Sequence, residues 1–402
     1  MRTFSHNIFL LMFTLMFAIW TPSLTAATSA PAQKTTQPVL DNHQVLIQKK
    51  LRALLDNTLN KAGEAPIHNV TLLVESPTKN FKFKGAAGLA DGKRVAMTAD
   101  HTYKIASQTK TFTAVVIMQL VEEAQLSLDD KLDKFFADDK VVNLDKLHIH
   151  KGTSSGRKIT VKHLLAHTSG LKHYFYDANK RFLAYFLENP WIQWNPANIL
   201  AKYFEYELNT QAEFAPGEGF YYSDTNYLLL GMIIEKITGS TLHAQFKSRL
   251  FDKLGMNNTY LEFYEARRGT RPFSHPFYGE MNASHGNTSF DWGGGGLVSN
   301  NEELSVFIKA LFKGELFQNN STLNQMLDGN QASMGGKSSY GFGISIIKMD
   351  GEVLKGHRGV YGSMMFYDAK KDIIICASLN QVKAHNNVFK FLKNILHIIK
   401  DL

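Results

Sequence analysis

KIASQTKTFTAVVIMQLVEE, residues 104–123, decides how this chain is read. From Ser107 onward its apolar residues fall on nearly every side of a helix, as they do when a helix is surrounded by protein. Lys110 places an ammonium group inside that apolar stretch, one turn after Ser107. At positions i and i+3 the two side chains share a face, so the amine reaches the hydroxyl oxygen. A neighbouring base lowers the cost of forming a serine alkoxide, and desolvation favours the neutral amine that can act as that base. The helix N terminus beside Ser107 adds backbone N–H groups and partial positive charge suited to an oxyanion. Taken alone, SxxK recurs by chance, and its ordinary reading is a capping serine with a snorkelling lysine. The rest of the chain has to give it meaning.

Outward from this helix, the pattern changes on both sides. VLIQKKLRALLDNTLNKAG carries apolar residues at helical spacing and ends on Gly63. NVTLLVES and KNFKFKGAAGLAD then read as two strands, the second alternating through Phe81 and Phe83. Residues 127–285 are rich in helical patterns and polar loops. Strand signals return after GGGGLVS (293–299) in YGFGISIIKM and GSMMFYDAKKDIIICASLN, and the amphipathic VFKFLKNILHIIKDL closes the chain. Sheet elements from both ends thus bracket a helical middle, and no internal repeat is visible.

The 402 residues are 44% apolar and 12% aromatic, enough for a sizeable core. Residues 1–27 read as an export signal: Arg2, an uncharged apolar run from Ile8 to Trp20, then small residues around Ala26 and Ala27. That run is shorter than the roughly 20 residues that span a bilayer. With the signal removed, no membrane span is expected, and the protein belongs in the periplasm or outside the cell. Residues 28–43 read as a flexible tether, with order from residue 44. A single cysteine, Cys376, excludes an intramolecular disulfide, and its apolar strand-like setting reads as a small buried hydrophobe. The net charge of +8 is modest and spread along the chain, which gives no sign of a nucleic-acid partner.

Two further elements carry chemistry. In PGEGFYYSDTNYLLLGMIIEKITG (216–239), Tyr222 precedes Ser223 and Asp224 at the mouth of an apolar helix. A phenol held near a lysine can act as acid or base, although an aromatic before a capped helix is the ordinary reading. In KGHRGVYGSMMFYD (355–368), His357, Arg358 and Gly359 stand at an extended stretch. A glycine there lets a substrate backbone approach, and flanking N–H groups can complete an oxyanion pocket. Two other patterns mislead. GTSSG (152–156) matches a GxSxG elbow around Ser154 but lacks the preceding buried strand and the immediate helix. His163 and His167 in HLLAH have metal-pair spacing without the HExxH glutamate or a third ligand, so no metal is expected.

Together, SxxK, Tyr222-Ser223-Asp224 and His357-x-Gly359 occur in that order, with ITVKHLLAHTSGL, FAPGEGFYYSDTNYLLLGMIIEKITG, GGGGLVS and GHRGVYGSMM around them. This resembles the serine β-lactamase and D-alanyl-D-alanine carboxypeptidase superfamily, on its class C β-lactamase and esterase side, from about residue 45 to the end. The resemblance implies an α+β fold: an antiparallel sheet flanked by the first and last helices (about 44–106 and 290–402) plus an all-helical part (about 107–289), with the site in the cleft between them. It implies Ser107 as the acylated nucleophile, Lys110 as its proton-transfer partner and Tyr222 as general base and later acid. It places Asp224, His357 and Gly359 at the substrate and the backbone N–H groups of Ser107 and Val360 in the oxyanion hole. HTSG (167–170) matches a hallmark with a structural role. No cofactor is implied.

The chain departs from the family pattern in two places. Asp224 stands where asparagine is commoner; a carboxylate cannot donate to a substrate carbonyl, and beside Lys110 it holds the ammonium charged and moves the base role toward Tyr222. His357 replaces the lysine usual in β-lactamases, which argues against efficient β-lactam hydrolysis. The resulting expectation is an exported serine hydrolase working through an acyl-enzyme on a small peptide, ester or β-lactam. A D-alanyl-D-alanine carboxypeptidase with peptidoglycan as its target stands first, an esterase or lactonase next, and a non-catalytic binder of wall fragments last.

Overall fold

In the computed structural model, residues 41–402 are described apart from 61–62, 179, 329–331 and 334–337. The export signal and all but the end of the tether therefore lie outside the described residues. Helix α1 (Asn42–Thr58) starts three residues before the expected Val45, because Asp41 and Gln44 form a capping box: the Gln44 N–H donates to Asp41 Oδ1 at 2.7 Å. Ile47, Leu51 and Leu55, one turn apart, are its buried stripe.

Strands β1 (Asn69–Ser76) and β2 (Phe81–Gly88) form the expected hairpin. Helix α2 (Thr109–Glu122) follows a 3₁₀ turn at Ala106–Gln108 and is buried all round from Thr109 to Leu120, as its lack of a polar face required. Helix α3 (Asp224–Thr238) runs beside it and ends on Gly239 in the left-handed conformation. Helix α4 (Asn301–Phe312) covers the inner face of the sheet. Strands β3 (Ala332–Ser333), β4 (Ser338–Tyr340), β5 (Ser345–Met349), β6 (Glu352–Arg358), β7 (Ser363–Asp368) and β8 (Ile373–Ser378) then precede the last helix, α5 (His385–Ile398).

All eight strands join one antiparallel sheet in the order β3-β4-β5-β6-β7-β8-β1-β2, so the N-terminal hairpin docks on the last strand. The run IIICAS is explained by this position. Ile374 and Cys376 point into the large core shared with α2, α3 and α4, whereas Ile373, Ile375 and Ala377 point into a second core under α1 and α5. A central strand buried on both faces shows no polar alternation. Truncating Leu72 or Ile375 to alanine is expected to cost about 2–5 kcal/mol.

The middle of the chain is not purely helical. Tyr103–Lys104, Leu297–Ser299 and Tyr260–Leu261 make a small three-stranded sheet that ties the approach to Ser107 to the glycine run 293–296. Such two- and three-residue strands are too short to leave a period in the sequence. The GTSSG stretch contributes to an exposed ribbon in which Ser154 Oγ donates to the Asp145 carbonyl at 2.7 Å, with no nucleophile elbow.

Candidate active site

Ser107 sits in the 3₁₀ turn that opens α2, between the helical part and the sheet. The turn is held in an unusual shape. Ala106 adopts φ +50°, a left-handed conformation that a residue with a Cβ rarely takes. Ser363 Oγ fastens it by donating to the Ile105 carbonyl at 2.9 Å.

Lys110 is fully buried, yet acceptors surround its nitrogen. Asp224 Oδ1 and the Gly294 carbonyl lie at 2.7 Å and Ser107 Oγ at 3.2 Å. Three acceptors around one amine describe an ammonium, so the dry-amine argument yields to the ion pair that Asp224 makes. The same nitrogen lies 4.9 Å from the centre of the Tyr222 ring. Burial alone would raise the Asp224 carboxyl, but the Lys110 charge, followed by His173, holds it well below the usual carboxylate range. His173 Nε2 approaches Asp224 Oδ1 to 3.4 Å.

Tyr222 arrives on the loop before α3, whose N-cap is Ser223. Burial, and after it the Asp224 charge, push its phenol well above the ordinary tyrosine range, while its hydrogen bond with Ser107 opposes them. The phenol is therefore protonated at rest and lies against the Ser107 hydroxyl. HTSG positions it. The His167 carbonyl accepts from the Tyr221 N–H at 2.9 Å, its Nδ1 accepts from the Ser223 N–H at 3.2 Å, and its ring lies 4.3 Å from that of Tyr222. His163 turns instead to the Thr160 N–H at 3.2 Å, so the two imidazoles serve different ends of one short helix.

The third element closes the cleft from the sheet. His357 Nδ1–H donates to the Arg358 carbonyl at 2.8 Å, which leaves Nε2 to accept from the Tyr340 hydroxyl at 3.0 Å. Burial first, and then the Lys110 charge, bring its pKa down to about 3, so the ring is a neutral group. Arg358 points elsewhere, 4.5 Å from the Phe389 ring centre with Nη1 3.3 Å from His385 Nδ1. Gly359 lies directly on the serine turn: a methyl there would collide with the Ile105 carbonyl and Ser363 Oγ and stand 2.9 Å from Ala106 Cβ. Val360 follows on an exposed turn. Among the described residues the N–H groups of Ser107 and Val360 have no protein acceptor, which suits donors held for an oxyanion.

Ser107, Lys110, Tyr222 and Asp224 thus form one connected cluster, with His357, Gly359 and Val360 beside the serine turn. Sequence reasoning did not anticipate the Gly294 carbonyl on Lys110, Tyr340 behind His357, His173 on Asp224, or Asp291 nearby. GGGGLVS was visible as a motif, but a carbonyl acceptor has no residue type to announce it. His173 and Asp291 lie on loops whose approach to the site depends on tertiary packing.

The Beta-lactamase family model matches residues 77–395 of this chain. The protein belongs to the β-lactamase family. Penicillin-binding protein 4* of Bacillus subtilis (strain 168) is 30% identical over 190 residues, 46% of this chain and 36% of that protein. Lovastatin esterase of Penicillium rubens is 28% identical over 231 residues, 53% of each chain. The β-lactamase-family chain thus spans only 36% and 53% of these curated relatives. Among solved structures it is similar to a D-stereospecific amidohydrolase from Streptomyces sp., with TM-score 0.69 and 26% identity over 86% of this chain and 97% of that one. The D-amino acid amidase from Ochrobactrum anthropi SV3 shares the fold at TM-score 0.72 and 24% identity, over 88% and 99% of the two chains. The relatives of this β-lactamase-family chain thus include a penicillin-binding protein, an esterase and an amidohydrolase.

Proposed function

We propose that this protein is an exported hydrolase of small esters and amides that works through an acyl-enzyme on Ser107. The observation that carries the reading is the meeting of a lysine nitrogen and a tyrosine phenol at one serine oxygen. At rest Lys110 donates to that oxygen and Tyr222 keeps its own proton, so one proton must first leave the Lys110–Tyr222 pair. Ser107 Oγ then attacks the carbonyl carbon while its own proton fills the vacancy, and the N–H groups of Ser107 and Val360 receive the oxyanion. Collapse breaks the bond to the leaving group, which takes the proton from Tyr222. Water repeats the sequence on the ester and frees Ser107.

A second reading, a D-alanyl-D-alanine carboxypeptidase acting on peptidoglycan, is favoured by the signal-like residues 1–27 and by the likeness to a penicillin-binding protein. Such a substrate ends in a carboxylate and calls for a free cation. His357 is neutral, and the Arg358 guanidinium, although its charge acts on the Tyr222 phenol, rests on Phe389 with Nη1 toward His385. An ester or amide without a terminal carboxylate fits this cleft better, as the names of the esterase and amidohydrolase relatives also suggest.

A fluorophosphonate probe should label the protein at Ser107, located by peptide mass. Turnover of p-nitrophenyl acetate, nitrocefin and a D-Ala-D-Ala peptide should rank the ester first. An unlabelled, folded protein defeats the acyl-enzyme reading, and a preference for the peptide restores the carboxypeptidase.

A further inference from the structure

The loop that follows HTSG brings to the site an imidazole that the chemistry above does not use. The His173 side chain is only 4% exposed, and its Nδ1 accepts the Phe175 N–H at 3.2 Å and the Tyr176 N–H at 3.4 Å. A ring nitrogen that accepts N–H groups carries no proton, so the one N–H of this imidazole is at Nε2. That atom stands 3.4 Å from Asp224 Oδ1, the same oxygen that Lys110 Nζ approaches to 2.7 Å. Among the described residues Nε2 has no other partner, so the Asp224 oxygen is the acceptor left to it.

The ring is held where it stands. The His173 N–H donates to Asp177 Oδ2 at 2.6 Å, and Asp177 Oδ1 accepts from the Tyr221 hydroxyl at 2.6 Å, one residue before Tyr222. The Lys172 carbonyl accepts from Ser223 Oγ at 2.9 Å and from Thr225 Oγ1 at 2.6 Å, and the Tyr174 N–H donates to Thr225 Oγ1 at 3.2 Å. Residues 172–177 are thus stitched to residues on both sides of Asp224. Those bonds already fix the loop, and the imidazole adds something they do not: an N–H beside the carboxylate that holds Lys110. A donor on that oxygen draws off part of its negative charge. Without the donor, the full charge of Asp224 acts on the Tyr222 phenol, and the proton that must leave the Lys110–Tyr222 pair is held more tightly.

We propose that His173 is a positioning residue of this hydrolase: its Nε2–H shares the Asp224 oxygen with Lys110, and so limits how tightly the Lys110–Tyr222 pair keeps the proton it must give up. This rests on the acyl-enzyme reading for what the proton does, and on the loop alone for the contact. Other titratable groups surround the contact. The Tyr222 and Tyr227 rings lie 4.9 and 5.6 Å from Lys110 Nζ, and the Tyr174 and Tyr176 rings 5.5 and 4.5 Å from that of His173. Burial holds the His167 and His357 imidazoles low and pushes the Asp291 carboxyl up to about 7. All of these are common to the wild type and its His173 variants, so a difference between those proteins belongs to position 173.

Two substitutions separate the two ring nitrogens. His173→Asn keeps an acceptor for the Phe175 and Tyr176 N–H groups and removes the donor to Asp224, whereas His173→Gln keeps an N–H near the Nε2 position and gives up the acceptor. In the kcat/KM profile for p-nitrophenyl acetate, His173→Asn should move the rising limb to higher pH by about half a unit or more, a fall of about threefold on that limb. His173→Gln should leave the limb within about 0.2 unit of the wild type. A ring that only braces its loop gives the reverse order, and that order, equal shifts, or a limb unmoved in His173→Asn overturns the proposal. In Asp224→Asn protein the His173→Asn change should move the limb no further, and a shift as large as in the wild type overturns it too. Nitrogen-15 NMR of the histidines in Ser107→Ala protein at pH 7.5 reads the contact without catalysis. The His173 signals, identified by their loss in His173→Asn, or in His173→Gln should the first not fold, must be those of an Nε2–H tautomer whose proton resonance shifts in Asp224→Asn. That result supports His173 on Asp224 even where the wild type neither turns over the ester nor takes the fluorophosphonate probe, an outcome that defeats the acyl-enzyme reading alone. An Nδ1–H tautomer, or an Nε2 proton indifferent to Asp224→Asn, overturns the proposal even with Ser107 labelled.

Discussion

Lys110 Nζ and Asp224 Oδ1 stand 2.7 Å apart, in an ion pair whose lysine is wholly shielded from water and whose aspartate is 13% exposed. Its negative member acts beyond its partner: after burial, Asp224 is the strongest influence raising the Tyr222 phenol. Removing that charge must ease proton loss from Tyr222. Asp224→Asn is expected to move the rising limb of the kcat/KM profile for a neutral ester, on which a proton leaves the Lys110–Tyr222 pair, to lower pH, by about one unit or more. A profile that stays in place would take Asp224 out of the proton network.

Ser107→Ala removes the oxygen on which the proposed acyl-enzyme would form. Esterase turnover should fall by about 10³-fold or more, and fluorophosphonate labelling should vanish, with an unchanged circular dichroism spectrum. Persistent labelling on another residue would point to a different nucleophile.

His357 is held neutral in the native state, with its pKa brought down to about 3, while an unfolded histidine titrates near 6.5. Between those two values the unfolded chain binds a proton that the native site refuses, so stability falls as pH drops from about 6.5 toward 3. Thermal melts from pH 7 to pH 4 should show this decline, and His357→Gln should make it shallower. An equally steep decline in the variant would assign the loss to other buried groups, His167 first among them, because burial holds its imidazole well below the ordinary range.

Gly359→Ala would drive a methyl into the Ile105 carbonyl and Ser363 Oγ. The backbone ahead of the nucleophile has to shift, so kcat/KM should drop by about 10²-fold. A loss of about 1–3 kcal/mol in stability should accompany it. Ester kinetics together with urea melts check both, and normal kinetics would mean the turn is softer than its contacts indicate.

Much of this arrangement was legible in the residues. An all-round apolar α2, alternation through Phe81 and Phe83 and the IIICAS run led to a sheet made from both chain ends, because long periodic or fully buried segments leave strong signals. Ser107, Lys110 and Tyr222 were readable as motifs, and the effect of Asp224 on Lys110 followed from charge alone. The short strands at Tyr103–Lys104 and Tyr260–Leu261 were not readable, since two residues cannot display a period. Nor was the set of lysine acceptors complete: the Gly294 carbonyl is a main-chain group that any residue would carry, brought to Lys110 by the path of the loop before it. Asp291 lay hidden for a related reason. An aspartate before a tryptophan and four glycines looks like turn chemistry until the three-stranded sheet carries that turn to the serine.

Strand β1 pairs with β8, Leu72 against Ala377, so its edge stays open until the ribosome has delivered β8. Contacts of such wide sequence separation form slowly, and an unpaired apolar edge invites aggregation while it waits. The strand that leads to the serine turn, β6, is likewise made long after that turn. Activity should therefore switch on late and all at once: a prematurely terminated chain would yield an insoluble fragment, with no weakened enzyme in between.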